Sequence, residues 1–159
     1  QDIHMVDFMR WVCGGTWDHV LTRNDDTYTG WPNTFNSIIH FTSGAIAVHS
    51  VTGHAGARHY RIEMHGNGIS AYLHPPSHGE IYTDDLPKPE EIRGKPIPGD
   101  TTGALDDGVD ALHADFINAI TENRQPLTNI HDAVQTMRLI EEIGQLDPTG
   151  KPLVGSPPS

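Results

Sequence analysis

The sequence predicts an α+β fold: an antiparallel β-sheet meander with helices packed on one face and the other face open to a partner. Three observations predict it. Two hairpin signals, Ser43-Gly44 and Asn67-Gly68, stand in the middle of the chain. Apolar residues recur at helical spacing at the start and again after residue 105. Strands and helices are segregated rather than alternating, which argues against a wound parallel sheet.

Asp2 to Val12 reads as a helix with Met5, Phe8, Met9 and Val12 as its apolar stripe, ended by Gly14-Gly15. His4, Asp7 and Trp11 share a neighbouring stripe, because residues three and four apart lie on one face. Trp17 to Arg23 reads as a short strand, and Asn24 to Asn33 as a polar loop. Phe35 to Val51 reads as a hairpin turning at Ser43-Gly44, with Phe41 facing Ile46 and Ile39 facing Val48. Its other face pairs His40 with Ala47 and Ile38 with His49, half apolar and half polar.

Gly53 to Ala57 links this hairpin to a second one, His59 to His74. Asn67-Gly68 there suits a type I′ turn, which needs two residues tolerant of positive φ. Folding about it sets Met64 opposite Ala71, Ile62 opposite Leu73, Glu63 opposite Tyr72 and His65 opposite Ser70. The string from Gly66 to Ala71 also fits G-x-G-x-x-A. A dinucleotide loop needs a helix straight afterwards, and here period-two alternation runs into a proline pair.

Gly79 to Thr83 reads as a further strand, and Asp84 to Gly103 as a Pro- and Gly-rich surface loop. Asp106 to Asn123 reads as a helix burying Val109, Leu112, Phe116, Ala119 and Ile120. Asn129 caps the last helix, with Asp132 in its first turn. That helix is expected to bury Ile130, Val134, Met137 and Ile140, with Ile143 near its end, and to stop at Gly144. The tail from Gly150 reads as an extended edge segment.

At 159 residues the chain is expected to form one domain. A formal charge of −11 argues against nucleic acid and anionic membrane as partners. No apolar run reaches membrane-spanning length. The lone Cys13 excludes an internal disulfide and fits a reducing, cytoplasmic compartment. The chain opens at Gln1 inside a helix, without a start methionine, as a piece of a longer protein would.

Three motifs carry a resemblance. The opening runs His4-Met-Val-Asp7-Phe-Met-Arg-Trp11-Val-Cys-Gly14. The hairpin carries Glu63-Met-His-Gly66-Asn-Gly68. Phe116 to Asp132 reads FINAITENRQPLTNIHD, followed by Ala133. In this order they resemble the H-x-x-D-x-x-x-W-x-x-G helix, the E-x-x-G-x-x-G hairpin and the F-x-x-A-I, P-x-T, D-A segment of one family. It is the glucose–fructose oxidoreductase / inositol dehydrogenase (Gfo/Idh/MocA) family, and the resemblance is to its C-terminal domain. The hairpin here is one residue shorter before its second glycine.

The resemblance implies a substrate-binding and oligomerisation half of an NAD(P)-dependent dehydrogenase acting on a sugar, sugar acid or cyclitol. A Rossmann half outside this sequence would bind NAD or NADP and supply the E-K-P lysine, so the chain alone is expected to be inactive. Its sheet face would form a homo-oligomer. His4 matches the family's catalytic histidine, whose pKa range suits removal of a hydroxyl proton. Some members add an aspartate four residues earlier, a position preceding Gln1. Asp7 would orient His4 or bind a substrate hydroxyl. Residues just before the central hairpin reach the pocket in relatives, which implicates His54, Arg58 and His59; Arg58 suits a sugar-acid carboxylate.

On the residues alone, His4 and Asp7 read first as a helix-surface pair or a satisfied buried pair. Two other readings stay open: a non-enzymatic domain that self-associates through its mixed sheet face, and a His-rich metal binder. The 11 histidines invite the second. No metal is assigned, because metal sites need three or four convergent ligands, and His74 and His78 flank Pro75-Pro76 while His54 and His59 stand in a linker.

Overall fold

The structure is a computed structural model, and it describes residues 3–25, 30, 32–57, 59–98, 105–106 and 108–144. The described residues form three helices and seven antiparallel strands, an α+β fold. They divide into two units: Gln1–Gly56 with Thr128–Ser159, and Ala57–Leu127. No described helix is long and apolar enough to cross a membrane.

The first unit holds α1 (Ile3–Cys13), β1 (Trp17–Asp25), β2 (Thr34–Phe41), β3 (Ile46–Thr52) and α3 (Ile130–Gly144), with the sheet ordered β1-β2-β3. Gly14 and Gly15 take φ of 101° and 87° and end α1 as expected, the Gly15 amide donating back to the Arg10 carbonyl at 2.6 Å. One sheet face lies under α1 and α3. Val6, Ile39, Phe41, Leu139 and Ile143 form the buried core there. Full burial of a Leu or Ile side chain is worth about 1.5–3 kcal/mol, so Ile39 and Leu139 anchor the two layers.

The burial differs from the expected stripes on both helices. On α1 the buried positions are Val6 and Arg10, with Met9 and Cys13 packed beside them, while Val12 is exposed. On α3 they are Thr136, Leu139 and Ile143, while Ile130, Val134 and Met137 are exposed. A buried polar contact between the helices, described below, turns both inward by a different edge. The Asn129 cap forms as expected: its Oδ1 accepts from the His131 and Asp132 amides at 3.0 and 3.2 Å. At the other end, Thr22 and Asn24 of β1 donate to the Ile143 carbonyl at 2.9 and 2.8 Å. Helix ends leave such carbonyls without intrahelical partners.

The β2–β3 register is one residue off the expected one: Ile39 pairs with Ala47 and Ile38 with Val48. The connection is a three-residue loop rather than a two-residue turn. The Gly44 amide donates to the Phe41 carbonyl, Gly44 takes φ of 90°, and Phe41 then pairs with Ala45. A one-residue slip exchanges faces. His49 and Ala47 therefore turn inward, and Ile38, His40, Ile46 and Val48 look outward. Asn24 and Asp25, expected in a loop, extend β1; residues 26–29 and 31 lie outside the described residues.

The second unit holds β4 (Ile62–Gly66), β5 (Ile69–His74), β6 (His78–Thr83), β7 (Glu90–Arg93) and α2 (Val109–Thr121). The β4–β5 register is the expected one in all four named pairs. Gly68 takes φ of 70°, but Asn67 does not take a positive φ, so the turn is not type I′. Glu90–Arg93, expected within a loop, pairs with β6 as an edge strand. Its charged sequence, EEIR, hides it from an apolar-pattern reading and suits an edge.

On α2 only Ala119 is buried; Val109, Leu112, Phe116 and Ile120, expected in the core, are exposed. Helical spacing shows which face is apolar, not whether this stretch of chain covers it. The turn after α2 is fixed by Asp115, whose carboxylate accepts from the Leu127 amide at 2.7 Å and from Arg124 at 2.8 Å. Those two bonds hold the Asp115 carboxyl below its usual value. The tail expected to be extended lies outside the described residues.

Candidate functional site

His4, Asp7 and Trp11 occupy one side of α1, as their spacing requires. His4 is exposed, and Trp11 is 78% exposed, its ring 6.0 Å from that of Phe8. The Asp7 side chain is 45% exposed, so its carboxylate is reachable from solvent. This side of the helix can present an imidazole, a carboxylate and an indole together to a small polar molecule.

Asp7 is held from behind by a residue the sequence pattern did not single out. Arg10, 5% exposed, spreads its guanidinium between α1 and α3. Its Nη1 donates to Thr136 Oγ1 at 2.7 Å, to the Asp132 carbonyl at 3.3 Å and to Asp7 Oδ1 at 3.4 Å. Its Nη2 donates to Asp132 Oδ1 at 2.9 Å, and its Nε to the Gly15 carbonyl at 3.2 Å. Thr136 passes the chain on, its hydroxyl donating to Asp7 Oδ1. A single hydroxyl can accept from Arg10 and donate to Asp7 at once, which satisfies every buried polar atom in the contact. Two cues were present in the sequence: Arg10 stands three residues after Asp7, and Thr136 four residues after Asp132.

The other implicated residues are placed as follows. His54 is exposed in the turn after β3, in the first unit. His59 is exposed in the second unit, its ring 5.6 Å from that of His74. Arg58 lies outside the described residues. The structure thus brings His4 and Asp7 together on one helix.

The second unit carries a wide, open hollow of about 530 Å³ lined by Ser70, Tyr72, Glu80 and Tyr82. The Tyr82 hydroxyl donates to Glu80 at 3.0 Å, and that bond raises its pKa. In the same unit the Pro75-Pro76 turn stacks His74 on His78 at 4.8 Å, and His78 Nδ1 is already bonded to Ser77 at 2.9 Å. A dinucleotide cradle is not formed by Gly66-Asn67-Gly68: strand β5 follows it, not a helix. Near Cys13, burial pushes the thiol pKa up, which makes it a poor nucleophile.

No protein-family model and no curated protein matches this chain. Solved structures do. UDP-N-acetylglucosamine 3-dehydrogenase GnnA from Acidithiobacillus ferrooxidans aligns at 15% identity with a TM-score of 0.74, over 89% of this chain and 44% of its own. A dehydrogenase from Chromobacterium violaceum aligns at 19% identity with a TM-score of 0.75, over 90% and 43%. Levoglucosan dehydrogenase, solved with NADH and levoglucosan, aligns at 17% identity with a TM-score of 0.72, over 89% and 45%. The chain spans less than half the length of each of these proteins. At such identities the likeness shows the fold.

Proposed function

We propose that this chain, which has the fold of the C-terminal domain of Gfo/Idh/MocA-type oxidoreductases, is the substrate-side domain of an NAD(P)-dependent dehydrogenase of sugars, sugar acids or cyclitols. The observation that carries the reading is the exposed His4–Asp7–Trp11 side of α1, fixed from behind by Arg10 and Thr136. An enzyme that oxidises a secondary alcohol must remove the hydroxyl proton, and a positioned imidazole does this near neutral pH.

In this reading a ring nitrogen of His4 accepts the substrate hydroxyl proton. Asp7, its Oδ1 anchored by Thr136, hydrogen-bonds a neighbouring hydroxyl or the imidazole. The family resemblance adds His54, Arg58 and His59 as candidate substrate contacts, Arg58 suited to a carboxylate. The glycine-rich string from Gly66 to Ala71 lies on a hairpin, so in this reading NAD or NADP is held mainly by a Rossmann half outside this chain. What this chain contributes is proton handling and the shape of the pocket.

The test is an assay of the longer protein that joins this chain to its dinucleotide-binding half. NAD⁺ and NADP⁺ are offered with a panel of cyclitols, aldoses and sugar acids, and nicotinamide absorbance is followed. Reduction of the cofactor by at least one polyol is expected, with no turnover from this chain alone. Failure of every polyol with both cofactors would overturn the assignment.

A second reading concerns assembly, and the outward face of β1–β3 favours it. Leu21, Ile38, Ile46 and Val48 stand exposed there, Ile46 at 61% and Val48 at 76%. Exposed apolar clusters of this kind mark interaction surfaces. We propose that this face joins two copies of the chain. Light scattering is expected to give a dimer, and Val48→Lys to give a monomer with an unchanged circular dichroism spectrum. A monomeric wild type at high concentration would rule the interface out.

A further inference from the structure

Independently of the dehydrogenase reading, we infer that Asp18, His19 and His40 form a binding site for a divalent transition-metal ion such as Zn²⁺. His19 and His40 are direct cross-strand partners of β1 and β2, and their rings stack at 4.4 Å with 18° between planes. In a regular strand Asp18 would point to the opposite face from His19. Here the pairing slips between Trp17 and His19, Trp17 facing Phe41 and His19 facing His40, so Asp18 is an extra residue. A bulge of this kind re-aims a side chain, and it brings the Asp18 carboxylate to the histidine side.

The donor atoms of all three residues lie within 4.8 Å of one another, the one such group among the described residues. Asp18 Oδ1 lies 3.5 Å from His19 Nδ1 and accepts the His19 backbone amide at 2.9 Å, which fixes the carboxylate beside the imidazole. Tetrahedral coordination at about 2.0–2.1 Å needs donors roughly 3.3 Å apart. The remaining difference is a rotation of side chains that are about half exposed, with side-chain exposures of 52% for His19 and 59% for Asp18. Two imidazoles and a carboxylate suit borderline ions better than Mg²⁺ or Ca²⁺. Three protein ligands leave a fourth position for water.

The trio is not legible in the sequence, because His19 and His40 are joined only through the β1–β2 register, and Asp18 only through the bulge.

Isothermal titration of this chain with ZnCl₂ tests the site. One Zn²⁺ per chain is expected, with His19→Ala and His40→Ala each weakening it at least tenfold, and Asp18→Asn about tenfold. The His74→Ala/His78→Ala double variant is expected to leave it unchanged. Because His40 lies on the face proposed to join two copies, titration and carbethoxylation are repeated in the monomeric Val48→Lys variant, where Zn²⁺ should still protect His19 and His40 selectively. Equal affinity in the His19 and His40 variants, or protection confined to other histidines, would overturn the site.

Discussion

On the proposed assignment, replacing His4 with alanine in the longer protein should lower kcat by roughly 10² to 10⁴, the range that a general base contributes. That is about 3–5 kcal/mol of transition-state stabilisation. The side chain is exposed and packs into no core, so the variant should keep the melting temperature of the parent. The loss should fall on kcat more than on KM, because a proton acceptor acts as the O–H bond breaks, whereas binding contacts act before and after. Turnover within a few-fold of the parent would leave His4 a surface residue and remove the proposed chemistry from α1.

The second large effect concerns stability. Arg10→Met should cost about 2–3 kcal/mol, because it leaves Asp7, Asp132 and Thr136 facing one another without their donor. The figure is set below that of a fully buried ion pair because the carboxylate side chains are 45% and 44% exposed. A fall in melting temperature of roughly 10 °C or more follows for a unit of this size. Arg10→Lys should rescue little: the guanidinium uses Nε, Nη1 and Nη2 in three directions, and an ammonium cannot. Thr136→Val should cost less, about 1 kcal/mol, and should be non-additive with Arg10→Met. An unchanged melting temperature in Arg10→Met would show the contact to be incidental.

The uneven legibility of the fold has physical causes. The β4–β5 hairpin was readable because its turn residues and its alternation demand one register. The β2–β3 hairpin was not, because Ser43-Gly44 serves a two-residue turn and a three-residue loop equally well until the φ of Gly44 is known. The stripes of α1 and α3 were placed in part: Met9, Ile140 and Ile143 do pack at the core, but Arg10 and Thr136, 126 residues apart, take buried positions that apolar spacing does not assign to polar residues. At the site, His4 and Asp7 were visible as a motif on one helix turn. Arg10, which holds Asp7 in place, reads in sequence as an ordinary solvated base.

The first unit is discontinuous, its sheet and α1 coming from residues before 57 and α3 from after 127. On the ribosome, Ile39 and Phe41 emerge long before Leu139 and Ile143, the residues that roof them. The nascent sheet therefore has only α1 over its apolar face while the intervening segment is made. That segment pairs its strands with near neighbours, so its meander can close while the first layer still waits. The topology thus places the closing of the first layer late in synthesis, when α3 emerges.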